Sequence, residues 1–443
     1  MIIAPYLNRR ERLLAHMRTS NGGIAIMANA PQVMRNNDSD YPYRHDSSFY
    51  YLSGFTEPCS VLVLLSGPTE KSILFCQEKD LEREIWDGYR YGPQAAQENF
   101  GFDEAYDIKQ LDELMPKLLA NQPAIWSTVG NPLADQQLAK WLNSLRALSR
   151  NGELIPETVH DLRSVIDEMR LIKDAHEISI MRRAARISAG AHVRAMQLCK
   201  PGLREYQLEA ELLHEFRKNG AEGPAYTSIV GTGANSCVLH YRAGNTQIQE
   251  GDMVLIDAGC EWEGYASDIT RSFPANGKFS GPQKAIYEIV LAAQAECISQ
   301  IAPGKRFKDY HYAARKTLAR GLIDIGLLKG SVEGAIESGA LRQFYMHGAG
   351  HWLGMDVHDA GLYTDRSAPW VESQERLSRI LQQNMVLTIE PGLYIRPAVN
   401  IDREWWHIGV RIEDDAVVTE EGCELMSRYC PVEVDRIEGL MRR

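Results

Sequence analysis

From residue 174 onward the sequence runs helix, helix, strands, and then repeats that order. The text over 174–199 carries Ile180, Ala184, Ile187 and Ala191 at helical spacing, and 205–218 carries Leu208, Leu212 and Phe216. The second stretch ends at Asn219-Gly220, a helix stop. Strand text follows in YTSIVGTG, MVLIDAG and YASDITRSF. Helices return at 281–301, with Ile286, Val290, Ala293 and Cys297 inward, and at 308–326. Strand text then returns in QFYMHGAGHWLG, NMVLTIEPGLYI and HIGVRIEDDAVVT. The order implies two related halves of helices and antiparallel strands. No literal repeat accompanies it, so relatedness rests on the order alone.

The first part of the chain reads differently. Strand text at 22–28, 60–67 and 72–77 alternates with amphipathic text at 111–120 and 134–148, which predicts one mixed α/β domain. The boundary falls near 173, giving domains over 1–173 and 174–443. Two domains are what 443 residues lead one to expect. With 44% apolar and 24% charged residues the chain is globular, and a net charge of −11 argues against a nucleic-acid binder. The eight cysteines are scattered with no C-x-x-C, which predicts neither a disulfide framework nor a zinc ribbon and fits a reducing cytoplasm. No signal peptide and no apolar stretch near membrane-spanning length is visible, so no membrane contact is expected.

Four short texts carry the chemistry. In DMVLIDAGCEWEGYASDITRSF, two strand-like runs flank Glu261-Trp262-Glu263-Gly264. A turn centred on 262 and 263 sets Asp257 opposite Asp268, with Cβ atoms about 4.5–5.5 Å apart. Facing carboxylates repel, and cations between them remove the cost. Two exposed aspartates on a solvated face remain the alternative, against which Ile256 and Ile269 suggest a core strand nearby. In HGAGHWLGMDVHD, His347 and His351 stand four apart, but Gly348, Gly350 and Gly354 oppose a helix. An extended or irregular glycine-rich segment is expected there, and whether its three histidines are functional stays open on spacing alone. Glu390 closes the apolar run MVLTIE before Pro391-Gly392. In GVRIEDD, Arg411 and Glu413 alternate with Val410 and Ile412 and share a strand face. Two Asp, two Glu and one or more His form an oxygen-rich set. It suits a pair of divalent ions such as Mn²⁺ rather than a structural zinc.

These texts, together with NNDSDYPYRHDSSFYYLSGF (36–55), EMRLIK (168–173) and VGTGANSCVLHY (230–241), resemble the pita-bread metallopeptidases of family M24, and most of all bacterial aminopeptidase P. The resemblance covers essentially the whole chain. It implies an α/β (α+β) protein, with a creatinase-like N-terminal domain before a pita-bread domain whose curved sheet is mainly antiparallel. It implies metal ligands Asp257, Asp268, His351, Glu390 and Glu413, with Asp268 and Glu413 shared between two ions, most naturally Mn²⁺. His240, His347 and His358 would lie on the substrate side, with His358 stabilising the oxyanion, and Arg411 and Tyr394 would support Asp257. Asp38, Trp86 and Arg163 match family residues that reach the site from N-terminal-domain segments, of the same or a neighbouring subunit, although a structural role for Asp38 and Trp86 stays open. The stretch 364–384 is longer than the family's usual loop and leaves the alignment of Arg366, a candidate substrate-binding residue, unsettled.

The activity implied is release of the first residue from Xaa-Pro-Yaa peptides. A hydroxide bridging two metal ions would attack, with Glu390 passing the proton to the leaving nitrogen. Prolidase, which cleaves Xaa-Pro dipeptides, is the alternative. A metal-free pita-bread hydrolase or binding protein is more remote, since such proteins lose ligands that this chain keeps. The resemblance also implies a homotetramer.

Overall fold

The computed structural model describes residues 3–148, 152–369 and 376–442. The chain forms two compact units, Met1–Met169 and Arg170–Arg443.

The first unit is built on a six-stranded mixed sheet. Its spatial order is Glu104–Asp107, Lys71–Cys76, Val61–Ser66, Gly23–Ala28, Ala124–Ser127, Thr158–Asp161. The three strands from Lys71–Cys76 to Gly23–Ala28 pair antiparallel and the outer ones parallel. Ile24, Ile26, Val63, Ile73 and Phe75 pack on Met115, Leu119, Trp141 and Leu145 of two helices, Leu111–Leu119 and Pro132–Leu148. Leu62, Leu64 and Leu74, which point the other way, are buried as well. That is why these strands read as apolar runs rather than alternations.

The second unit follows the repeated order. Helices Ala175–Leu198 and Glu205–Lys218 precede strands Ile229–Thr232, Met253–Asp257, Cys260–Trp262, Tyr265–Ala266 and Thr270–Pro274. Helices Gly281–Ser299 and Phe307–Asp324 precede Val386–Ile389, Gly392–Ile395, Ile408–Arg411, Asp414–Val418 and Cys423–Leu425. Both leading helices start at a capping box, Asp174 with Glu177 and Ser280 with Gln283, which satisfies first-turn N–H groups. Every strand pairing among the described residues of this unit is antiparallel. One apolar core joins the halves: Leu208, Leu212 and Phe216 of the first share it with Ile286, Val290 and Ala293 of the second, and with Val254, Ile256 and Val410 of the sheets. This is the pita-bread architecture that the motifs imply.

Two expectations are corrected. Asp257 does not face Asp268: it pairs with Thr270, while Trp262 pairs with Tyr265. The turn is centred on Glu263 and Gly264, whose φ angles are +48° and +76°. A two-residue hairpin turn of this kind needs positive φ at both central positions, so it settles on the glycine rather than on Trp262. The slip is two residues, which preserves faces, so both carboxylates still share one side of the hairpin. The second correction concerns QFYMHGAGHWLG, which is not a strand. After a short 3-10 turn at Ala340–Gln343 it runs irregularly beside Val386–Ile389 and makes one isolated bridge, Trp352 with Leu387. A Cβ on Gly350 would lie 2.0 Å from the Thr388 carbonyl oxygen, so the backbones approach too closely for any side chain there. Within the long stretch 364–384, residues 370–375 lie outside the described residues.

The strands also break beside the two glutamates, at Pro391-Gly392 as expected and also within GVRIEDD, where one alternating run was expected. MVLTIEPGLYI divides at Glu390-Pro391 into a strand that pairs with Asp414–Val418 and one that pairs with Ile408–Arg411. The second run divides at Ile412-Glu413 in the same way. Glu390 and Glu413 therefore sit where the chain passes from one small sheet to the next, and Asp257 ends a strand just before a similar break.

Candidate metal centre

These breaks open onto one cavity of about 580 Å³, lined among others by Asp257, Asp268, His351, Glu390, Glu413 and Arg411. Donor atoms of Asp268, His351 and Glu413 all lie within 4.8 Å of one another. His351 Nε2 stands 3.5 Å from Asp268 and 3.6 Å from Glu390. Its other nitrogen, Nδ1, is 2.9 Å from the Trp352 carbonyl. A carbonyl can only accept, so Nδ1 carries a proton, and Nε2 is the nitrogen turned to the carboxylates, where it would give its lone pair to a metal in place of a proton.

Arg411 organises the floor of the cavity. Its guanidinium donates to Asp257 at 2.5 Å, to Tyr394 at 2.9 Å and to the Thr270 hydroxyl at 3.0 Å. Thr270 in turn donates to Glu413 at 2.6 Å. Tyr394 also meets His347 Nε2 at 2.8 Å. A Cβ on Gly259 would fall 1.6 Å from the Ser267 carbonyl oxygen, so only glycine lets the two arms of the Asp257–Asp268 hairpin cross this closely.

The carboxylates are short of positive charge. Burial, with Asp268 and then Glu390 adding repulsion, drives the Glu413 carboxyl well above its ordinary range. Burial and Asp257 raise Asp268, and burial raises Glu390 to about 7 although His351 and Arg411 oppose it. Burial works against a charged His351, but Asp268 and Glu390 outweigh it and lift the imidazole to about 9. Arg411 and His351 alone cannot keep this set ionised in a dry site. Divalent cations can, and hard oxygen donors with one imidazole are what such ions take. The donor set fits divalent metal.

The remaining histidines differ. His358 stacks on His351 with ring centroids 3.9 Å apart. Burial, then the neighbouring His351, lowers His358 to about 4. Burial, then Arg411, lowers His347 to about 3. Both are neutral at pH 7, with one N–H each to donate. His240 lines the same cavity from an exposed position.

Four expected residues are not part of this lining among the described residues. Asp38 is exposed on the first unit, and Trp86 is 83% exposed there. Arg163 is paired with Asp161 at 2.8 Å. Arg366 is exposed in the long loop. Conversely, two residues that sequence reading passed over stand at the centre. The Tyr226 hydroxyl bonds to both Asp257 and Asp268, and the Asp415 carboxylate accepts the backbone N–H of Asp268 at 3.0 Å. Tyr226 looked like the start of a strand, and Asp415 like one more acid in GVRIEDD; no local pattern distinguished either.

Residues 179–420 match metallopeptidase family M24, and residues 6–126 match the aminopeptidase P N-terminal domain. The chain belongs to metallopeptidase family M24. It is 43% identical to the Xaa-Pro aminopeptidase of Escherichia coli K12 over 439 residues, 98% of this chain and 97% of that one. Among solved structures it resembles the aminopeptidase PepP of Pseudomonas aeruginosa, with a TM-score of 0.95 and 46% identity over 100% of this chain and 98% of that one. It also resembles an E. coli aminopeptidase P variant in complex with substrate, with a TM-score of 0.94 and 42% identity over 100% and 98% of the two chains.

Proposed function

We propose that the chain is a dinuclear metallo-aminopeptidase that releases the first residue from peptides with proline in second position. The observation that carries this reading is the convergence of Asp257, Asp268, His351, Glu390 and Glu413 on a cavity rimmed by neutral histidines. Those five side chains would hold two divalent ions, for which we assign Mn²⁺. When bound, the ions acidify water and polarise the scissile carbonyl. The protein's own groups do the rest. Arg411, itself held by the Tyr394 hydroxyl, holds Asp257 in place, and Thr270 orients Glu413. His358, neutral and in the open part of the site, donates its N–H to the carbonyl oxygen as charge builds there. His240 and His347 line the substrate side. Glu390 carries a proton from the attacking water to the leaving nitrogen, which as part of a proline amide has no hydrogen of its own.

The two stacked histidines separate in a simple experiment. His351→Ala lowers metal content. His358→Ala leaves metal content near wild type and lowers kcat by about 10²–10³, the usual loss for one oxyanion donor. Metal analysis beside steady-state kinetics reads both; metal loss in the His358 variant alone reverses the assignment.

Substrate class is tested by giving the enzyme Xaa-Pro and Xaa-Pro-Yaa at equal concentration after chelation and reloading with Mn²⁺. Faster turnover of the tripeptide is expected, and faster turnover of the dipeptide makes the chain a prolidase instead.

A homotetramer is part of this reading. Leu81, Ile85, Trp86 and Tyr89 are 64–83% exposed around the short helix Leu81–Asp87, an apolar surface suited to cover by another copy. In such an assembly Asp38, Trp86 and Arg163 would meet substrate, with Arg366 contributing from the long loop. No described helix is long and apolar enough to cross a membrane, and all eight cysteines are free thiols, which supports assigning the chain to the cytoplasm.

A further inference from the structure

We infer that Arg170 and Lys173, the basic residues of EMRLIK, are positioning residues that hold His358 at the cavity through the buried carboxylate of Asp359. The inference rests on the reading of His358 as the oxyanion donor.

His358 stands on chain without helix or strand, exposed into the cavity, so nothing in its own secondary structure fixes it. The next residue, Asp359, is 6% exposed and bound on both oxygens. Oδ1 accepts from Arg170 at 2.6 Å and from the Asp356 backbone at 3.3 Å, and Oδ2 accepts from Lys173 at 2.8 Å. The same Arg170 nitrogen reaches Asp356 at 2.7 Å. The Asp359 N–H donates to the Trp352 carbonyl, and the Gly354 N–H to Asp356. The segment 352–359 is thereby closed upon Asp359. Two cations meet two carboxylates, the half-exposed Asp356 and the buried Asp359, so the charge is balanced. A buried ionic set of this kind adds little stability over apolar residues of the same shape, whereas its hydrogen bonds have fixed directions.

The other end of the tie is anchored where the metal-site strand begins. The Lys173 N–H donates to the Asn384 carbonyl at 3.0 Å, and Ile172 bridges Met385, immediately before Val386–Ile389 and Glu390. Gly354 leaves the necessary room: a Cβ there would lie 2.1 Å from Asp359 Oδ2 and 3.0 Å from Lys173 Cε. His358 and Glu390 are thus referenced to one short piece of backbone. A catalytic group displaced by about 1 Å can lose about 10²-fold in rate.

The experiment is a double-mutant cycle on the metal-loaded full-length enzyme with Lys173→Met and His358→Ala. In the wild-type background Lys173→Met lowers kcat by about tenfold to a hundredfold, with metal content unchanged. In the His358→Ala background the same substitution changes kcat by less than about twofold, because the group it positions is gone. Lys173→Arg, which keeps the charge, restores part of the rate. Equal falls in both backgrounds, or loss of metal in Lys173→Met, overturn the inference. If Lys173→Met does not fold, the cycle is run with Asp359→Asn, and the same outcomes decide. A His358→Ala enzyme with normal kcat sinks the reading of His358 itself, which is a separate failure.

Discussion

Asp268→Ala and Glu413→Ala give folded proteins that bind less metal than wild type and no longer turn over peptide. Each substitution removes a carboxylate from the centre of the donor set, where Asp268 and Glu413 stand with His351 within 4.8 Å. The diagnostic part is the sign of the stability change. In metal-free protein, burial and the charge of Asp268 drive Glu413 up, and burial and the charge of Asp257 drive Asp268 up, so both oppose the folded state at neutral pH. A carboxyl whose folded pKa exceeds its unfolded value loses stability as pH rises between the two. For Glu390 that window runs from its ordinary 4.5 to about 7. Metal-free variants are therefore at least as stable as wild type at pH 7.5. Saturating Mn²⁺ reverses the order, because binding at a hundred times Kd adds about 2.7 kcal/mol to the protein that keeps its site. Thermal melts with and without metal, beside metal analysis, read all of this. Full turnover by either variant after chelation and reloading would refute the two-metal assignment.

Arg271→Met weakens the second unit by about 3–5 kcal/mol, the usual result of breaking one side of a buried ion pair. Arg271 is 0% exposed. Its guanidinium donates to Asp414 at 2.8 Å and to the backbone carbonyls of Glu413 at 2.6 Å, Thr270 at 3.0 Å and Cys430 at 2.8 Å. Methionine fills much of the volume and satisfies none of these acceptors. Asp414 keeps Arg428 at 3.1 Å and the Ser427 hydroxyl at 2.7 Å, which limits the loss without cancelling it. Arg182→Ala is the control: its pair with Glu424 is solvent-exposed and is worth at most about 1 kcal/mol. Urea midpoints of the metal-free proteins compare the two, and a loss below about 1 kcal/mol for Arg271→Met would show that the carbonyls find other partners.

Much of this protein was legible in one dimension. The two pairs of helices are visible because their apolar residues recur at helical spacing, and one of their ends because Asn219-Gly220 is a helix stop. The mixed α/β character of the first unit is visible because Ile24, Val63 and Ile73 belong to runs with strand composition between turn residues. The acidic and histidine residues of the second unit stood out by type and by the texts around them. These signals are local: each depends on residues within a few positions of one another.

What the sequence did not disclose depends on residues far apart in it. The Asp257–Asp268 register was misplaced by two because the turn is chosen by the positive φ at Glu263 and Gly264, while the paired strands tolerate either alignment of faces. The stop after Glu390 was legible at Pro391-Gly392, but the break at Ile412-Glu413 was hidden, because GVRIEDD reads as one alternating run and only pairing shows where one sheet ends. Tyr226, Asp415 and Arg271 gained their importance from partners as far as 159 residues away. Sequence by itself determined the kinds of element, their order and the chemical inventory, because periodicity and side-chain type are properties of short stretches. Tertiary structure alone decided that the carboxylates meet in one cavity without enough positive charge to keep them ionised. That shortfall comes from desolvation and mutual repulsion at a few ångströms, and neither exists until the chain has folded.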